Sequence, residues 1–255
     1  MKIAICIKQV PDSWAEKKMA GGVLDRAGVD AVLNDLDEYA VEEALRIVEA
    51  NSPTKEAGEA SGHTITLISM GPERATEAIR KALSMGADDA ILVTDPSLAG
   101  SDALATSLVL SEVIKKGNYD LVLCGTESTD ARMSVIPAMI SQRLGWAQLT
   151  FAGKVAVNPA ANTVEIERVT EFGNQVMSAK FPAVLSVVEK INEPRYPSFK
   201  GIMAAKKKPI TNMSLADTGV GASDVGAAAA WSNVKEALPR PPRGAGVKLT
   251  DEGNG

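Results

Sequence analysis

The sequence predicts an α/β fold: a mainly parallel, doubly wound sheet with an antiparallel extension and a C-terminal arm. Three observations point there. Over the first 150 residues, short apolar runs alternate with amphipathic stretches. Each run is apolar on both sides of the pleat, as strands covered on two faces are. After residue 150 the rhythm changes to short segments separated by turn residues, which suits antiparallel strands.

Taken in order, Ile3–Ile7, Thr64–Ser69, Ala90–Thr94 and Asp120–Cys124 are the parallel strands. Asp37–Ala50 places Ala40, Val41, Ala44, Leu45 and Val48 on one helical face and opens with acids, which suit the positive end of a helix dipole. Glu73–Met85 places Ala75, Ala78, Ile79, Ala82 and Leu83 inward and stops at Gly86. Asp102–Lys116 buries Leu104, Ala105, Leu108, Val109 and Val113, then ends in a basic turn followed by Gly117. Arg132–Leu144 follows the fourth strand and stops at Gly145. Strand and helix alternating in this way give a parallel sheet covered on both faces. Lys154–Val157, Thr163–Val169 and Gln175–Ala179 read as the antiparallel extension, and Ala183–Val188 as a return to the main sheet. Residues 211–255 are rich in Gly, Ala, Ser and Pro, with PRPPRGAG at 239–246, and hold little to pack into a core. Residues 1–210 therefore read as one α/β domain and 211–255 as an extended arm lying on a partner chain.

Composition narrows the function. A net charge of −5 and 4% aromatic residues argue against nucleic-acid binding. The single histidine, His63, argues against a His-based triad or a multi-His metal site, and it reads as a solvated residue without a role. Cys6 and Cys124 are too few for a disulfide framework and, on adjacent strands, read as core residues. No metal site is expected. The opening MKIAICIKQV lacks a secretory h-region, and no stretch approaches the ~20 apolar residues of a membrane span. The chain is read as cytoplasmic.

Parallel sheets bind ligands beyond the carboxyl ends of their strands, which directs attention to a few segments. Gly125–Ser134 follows a strand and leads into a helix. Gly125 would let the chain leave the sheet sharply, Thr126, Ser128, Thr129 and Ser134 supply hydroxyls, and Arg132 supplies a fixed charge. The stretch suits a phosphate or nucleotide and equally a plain polar capping loop. Asn34 or Asp35 is placed to contact a ligand or to cap the following helix, capping being the simpler reading. Met70-Gly71-Pro72 is a tight strand exit. Residues 191–209 carry two prolines, Phe199, Ile202 and Met203 among polar neighbours, and three closing lysines. Such a stretch is a solvated face or a docking surface.

INEPRYPSFKGIMAAKKKP, at 191–209, closely resembles the signature of the electron transfer flavoprotein β-subunit family. IAICIKQVPD, LNDLDEYAVEEALR, SMGPERATEAIRKALSMGAD, LVLCGTESTD and PPRGAGVKL extend the resemblance over almost the whole chain. The resemblance implies a heterodimer in which the α subunit holds most of one FAD, while this chain forms a shallow bowl and binds a structural AMP. It implies an electron carrier without its own bond-making chemistry, not an enzyme. Electrons would arrive from acyl-CoA and related dehydrogenases and leave to a membrane-bound quinone oxidoreductase. An electron-bifurcating relative, with a second FAD in the AMP site, is the alternative.

Carried over by residue, the implied AMP site comprises Cys6, Lys8, Asn34, Asp35, Leu36, Asp37 and Met70. It also takes in Gly125, Thr126, Ser128, Thr129, Asp130, Arg132, Met133 and Ser134. Cys6 and Met70 would touch the adenosine, and Asp130–Ser134 would face the phosphate. The implied partner-recognition loop contains Pro194, Arg195, Tyr196, Phe199, Ile202 and Met203, with Phe199 at the anchor position. Ser13 and Leu36 map near the flavin ring. Arg132, Ser134, Val135 and Ile136 depart from the family's acidic and polar run, and Val169 stands where a glutamate is common.

Overall fold

The computed structural model describes residues 1–52, 62–238, 241, 244–247 and 253. The N-terminal half supplies β1 (Lys2–Cys6), β2 (Gln9–Pro11), β3 (Met19–Ala20), β4 (Val23–Leu24), β5 (Ala31–Leu33), α1 (Asp35–Asn51), β6 (Thr64–Met70), α2 (Thr76–Met85), β7 (Asp89–Val93), α3 (Ala103–Gly117) and β8 (Leu121–Gly125). The remainder supplies α4 (Ile136–Leu144), β9 (Ala147–Asn158), β10 (Thr163–Thr170), β11 (Gly173–Lys180), β12 (Ala183–Val187), α5 (Phe199–Ala205), β13 (Ile210–Met213), α6 (Leu215–Thr218) and α7 (Gly226–Ala229).

Nine strands form one sheet in the order β11-β10-β9-β12-β8-β1-β6-β7-β13. Pairing is parallel from β9 through β13 and antiparallel across β9, β10 and β11. The predicted fold class is therefore the observed one. Alternation along the central strands divides the core. Ile3, Ile5, Leu67, Leu123 and Leu185 face α1 and α2, meeting Val41, Leu45, Ile79 and Leu83. Ala4, Cys6, Ile68, Val122 and Val184 face α3 and α4, meeting Val109, Val113, Ile114 and Ile140. Among the described residues no helix is long and apolar enough to cross a membrane.

Three boundaries differ from the sequence expectation. The helix expected from Arg132 starts at Ile136. Arg132 and Ser134 have φ values of 50° and 54°, a conformation that breaks an α-helix, and Pro137 then fixes the first turn. Strand β9 starts at Ala147 rather than Lys154 because its first half pairs parallel with β12 and only its second half pairs with β10. The change of partner falls at an irregularity where Phe151 has φ 61° and its N–H donates to Ser186 Oγ.

Within the segment expected as an extended arm, Ile210–Met213 adds an edge strand beside β7, and Leu215 and Val225 are buried. Averaging over Gly, Ala and Ser hides these few apolar residues. The extended course begins after Ala229, where the Asp102 carboxylate accepts the Trp231 and Ser232 N–H groups. Of PRPPRGAG, only residues 241 and 244–246 are described. His63 is less isolated than expected: Nδ1 lies 3.0 Å from the N-terminal amine and Nε2 3.2 Å from the Asn51 carbonyl.

Candidate nucleotide site at the strand exits

The central strands β8, β1 and β6 are neighbours, so the segments leaving them converge. Cys6 is in register with Cys124 and Ile68. Both thiols are buried, and the hydrogen bond with Cys6, followed by burial, pushes the Cys124 thiol up. The thiol of Cys6 packs in the core, and Met70 lies against the same cluster.

The loop after β8 is held by α1. Asn34 occupies the N-cap position of α1 and is fully buried, yet its side chain makes no capping bond. Its Nδ2 donates to the Glu127 carbonyl at 2.9 Å and its Oδ1 accepts the Thr129 N–H at 3.0 Å. The expectation of a cap is corrected: the amide is worth more as a brace, because an unmet buried polar group in the loop costs ~1–3 kcal/mol. Gly125 also differs in its reason. A Cβ there would lie 2.6 Å from Asp37 Oδ1 and 2.6 Å from the Leu36 carbonyl oxygen, so glycine permits the close approach of α1 to β8. Asp37 Oδ2 accepts the Lys8 N–H at 2.8 Å. Burial pushes the Asp37 carboxyl up to about 7, outweighing its bonds from Asn34 and Lys8.

Asp130 is the electrostatic centre of the loop. Its carboxylate accepts Lys8 Nζ at 2.8 and 2.9 Å and Arg26 Nε at 2.7 Å, with its side chain 1% exposed. Burial alone would raise this carboxyl; the charge and hydrogen bond of Lys8, with bonds from Arg26 and Ser128, hold it at about 2. Ser128 Oγ also accepts from Lys8 Nζ at 3.3 Å. Of the four expected hydroxyls, Ser128 is thus engaged, and two more are committed: Thr126 donates to the Val187 carbonyl and Ser134 to Glu127 Oε2. Asp35 accepts Ser13 Oγ at 3.1 Å. Arg132 and Met133 are exposed.

A second cluster lies along α1 and α2. Arg195 pairs with Glu42 and Glu49, and Asn192 donates to Glu43 and the Tyr39 carbonyl. Ser198 caps α5 by accepting the Gly201 N–H. Gly201 lies so close to α2 that a Cβ would meet the Ser84 carbonyl oxygen at 2.6 Å. On this frame Tyr196 and Phe199 stand 95% and 80% exposed, beside the exposed Ile202 and Met203. Lys208, expected to be solvated or facing a partner, donates to the Leu83 and Gly86 carbonyls at the end of α2. Lys206 and Lys207 are exposed.

The electron transfer flavoprotein domain model matches residues 21–218. Three named relatives extend the likeness. The electron transfer flavoprotein subunit beta of Mycobacterium tuberculosis is 48% identical, over 99% of this chain and 94% of its own length. Its namesakes from Megasphaera elsdenii and Syntrophomonas wolfei are 35% and 36% identical over 99% of this chain, covering 92% and 91% of their own lengths. The chain belongs to the electron transfer flavoprotein family.

For this flavoprotein-family chain, the residues carried over from the resemblance fall into two groups. Lys8, Asn34, Asp35, Leu36, Asp37 and Gly125–Ser134 meet around the exits of β1 and β8. Pro194–Met203 forms the separate ridge on α1 and α2. The loop after β8 has a backbone suited to an anion. Ser134 is left-handed and Val135 right-handed helical, an arrangement that turns successive N–H groups toward one point. The amides of Val135 and Ile136 begin α4 and have no intrahelical carbonyl. Lys8 and Arg26 neutralise Asp130, whereas the Glu127 carboxylate, which accepts from Ser134, keeps a negative charge on the loop. The residues thus fit a nucleotide phosphate by their backbone, with the hydroxyls serving as braces.

Sequence reasoning missed Arg26 and Glu127. Arg26 sits in a segment without periodicity and carries no signal. Glu127 was visible as an acid within the loop, and its pairing with Ser134 follows from the turn that brings them together.

Proposed function

We propose that this chain is the β subunit of a heterodimeric electron carrier, paired with an α subunit that holds most of one FAD, and that it carries a structural AMP on the 125–136 loop. The observation that carries the reading is the near full-length likeness to relatives named electron transfer flavoprotein subunit beta. FAD supplies the redox chemistry when bound. This chain's part is to position and to dock: Lys8 and Arg26 fix Asp130, Asn34 braces the loop, and the Val135 and Ile136 amides receive the phosphate. Phe199, Ile202 and Met203 form an exposed apolar ridge for an acyl-CoA or related dehydrogenase, and a membrane-bound quinone oxidoreductase takes the electrons onward.

The test is functional. The chain, co-produced with its α subunit and purified as a yellow complex, is mixed with an acyl-CoA dehydrogenase and its acyl-CoA. Rapid bleaching of the complex's flavin supports the reading. No bleaching by any acyl-CoA dehydrogenase, with dithionite still reducing the flavin, removes that donor class.

A further inference from the structure

Arg195 lies in the segment assigned to docking, yet its guanidinium is spent inside the molecule. Nε and Nη2 donate to Glu42 at 2.7 and 3.0 Å, and Nη1 and Nη2 donate to Glu49 at 2.6 and 3.1 Å. The Arg195 backbone N–H also donates to Glu42 Oε2, at 3.1 Å. Glu42 is 3% exposed, so it is a fixed wall rather than a mobile surface group. One turn away, Asn192 donates to the Tyr39 carbonyl and to Glu43 Oε2 at 3.1 and 3.0 Å. Two side chains of the segment are therefore pinned along successive turns of α1. Next to them, Tyr196 and Phe199 extend into solvent, Phe199 at the start of α5.

We infer that Arg195 and Glu42 are positioning residues for docking: they clamp residues 192–198 onto α1 so that Tyr196 and Phe199 are presented in the binding-competent arrangement before a partner arrives. Arg195 is not itself a contact with the dehydrogenase. The inference rests on the docking role proposed above. Its physical basis is that a segment ordered in advance does not lose that freedom on binding. If the competent arrangement is populated only in part, apparent affinity falls by the same fraction, while the complex once formed is unchanged. A bidentate pair on a buried carboxylate suits this role, since Arg offers a rigid fork where Lys offers a point charge.

The clamp and the contact reading differ in what Glu42 does. If Arg195 touched the partner, Glu42→Gln would release its guanidinium and leave docking equal or stronger. If Arg195 is a clamp, Glu42→Gln weakens docking as Arg195→Ala does. The experiment uses the flavin-loaded heterodimer as electron acceptor for an acyl-CoA dehydrogenase and measures KM for the flavoprotein and kcat separately. Arg195→Ala and Glu42→Gln are each expected to raise KM about 3- to 10-fold, the factor for a competent population of about a tenth to a third. The double variant should raise it no further, with kcat, flavin content and dithionite reduction unchanged. Arg195→Lys should recover only part of the loss. If Arg195→Ala proves insoluble, Glu49→Gln and Glu42→Gln carry the test. A raised KM in Arg195→Ala with an unchanged or lowered KM in Glu42→Gln overturns the proposal. So does an unchanged KM in both while Phe199→Ala raises it, in which case docking stands without the clamp. An unchanged KM in all three, Phe199→Ala included, overturns the docking reading itself and the clamp with it.

Discussion

Gly125, at the end of β8, and Asp37, in the first turn of α1, approach so closely that a Cβ on the glycine would lie 2.6 Å from the carboxylate Oδ1. This contact sets the depth at which α1 enters the sheet, and with it the position of Asn34 above the 127–129 loop. Gly125→Ala should cost ~1–3 kcal/mol, because the second obstacle, the Leu36 carbonyl oxygen, is backbone and cannot rotate aside. Urea unfolding of the complex measures this, and an unchanged midpoint would contradict it.

Asn34→Ala should lower stability by ~1–3 kcal/mol and loosen the loop. It leaves the Glu127 carbonyl and the Thr129 N–H, both partly buried, without their partner. Asn34→Asp should not restore the wild type, because a carboxylate cannot donate to the Glu127 carbonyl. Denaturation of both variants, with hydrogen exchange at Thr129, checks the pair. Full recovery by Asp would mean that the side chain acts as a helix cap after all.

The two carboxylates of the site should give opposite pH dependences. Folding raises Asp37 from 3.8 to about 7, so its contribution is full below pH 3.8, falls as pH rises, and is gone above 7. Folding lowers Asp130 from 3.8 to about 2, so its contribution is full above pH 3.8 and is lost as pH falls through 2. Asp37→Asn should remove a loss of ~2–4 kcal/mol between about pH 4 and 7. Asp130→Asn should lose ~1–2 kcal/mol at neutral pH, discounted because Lys8 and Arg26 are partly exposed. Parallel pH-dependent slopes in wild type and Asp37→Asn would refute the first assignment.

Arg132→Ala should weaken nucleotide retention by ~1.5–3 kcal/mol if its guanidinium meets the phosphate as a charge-assisted partner. In the described structure its Nε reaches only the Thr129 carbonyl, at 3.4 Å, so the side chain is available for this. Nucleotide content after dialysis measures the effect. Equal retention in the variant would leave the loop backbone as the whole phosphate site.

The sheet was legible in the sequence because Ile3, Ile5, Leu67 and Leu123 sit in apolar runs that only a doubly covered strand needs. The strand exits followed from the same rule, and Lys8, Asn34 and Gly125 were found there. What the side chains do at those places was not legible. Asn at a helix start has the same residue type whether it caps or braces, and only the approach of Thr129 decides. The start of α4 was misplaced because nothing in the residue types of Arg132 and Ser134 announces a left-handed backbone. Arg26 and Lys208 acquire their partners, Asp130 and the end of α2, from distant parts of the chain, where local pattern says nothing.

The most direct test of the account is to count nucleotides released from the purified complex of this chain with its α subunit, by denaturing it and separating the extract. One FAD and one AMP per heterodimer is the predicted result. Two FAD and no AMP would contradict it and assign the 125–136 loop to a second flavin, and a chain that purifies alone, without flavin or adenine nucleotide, would contradict both.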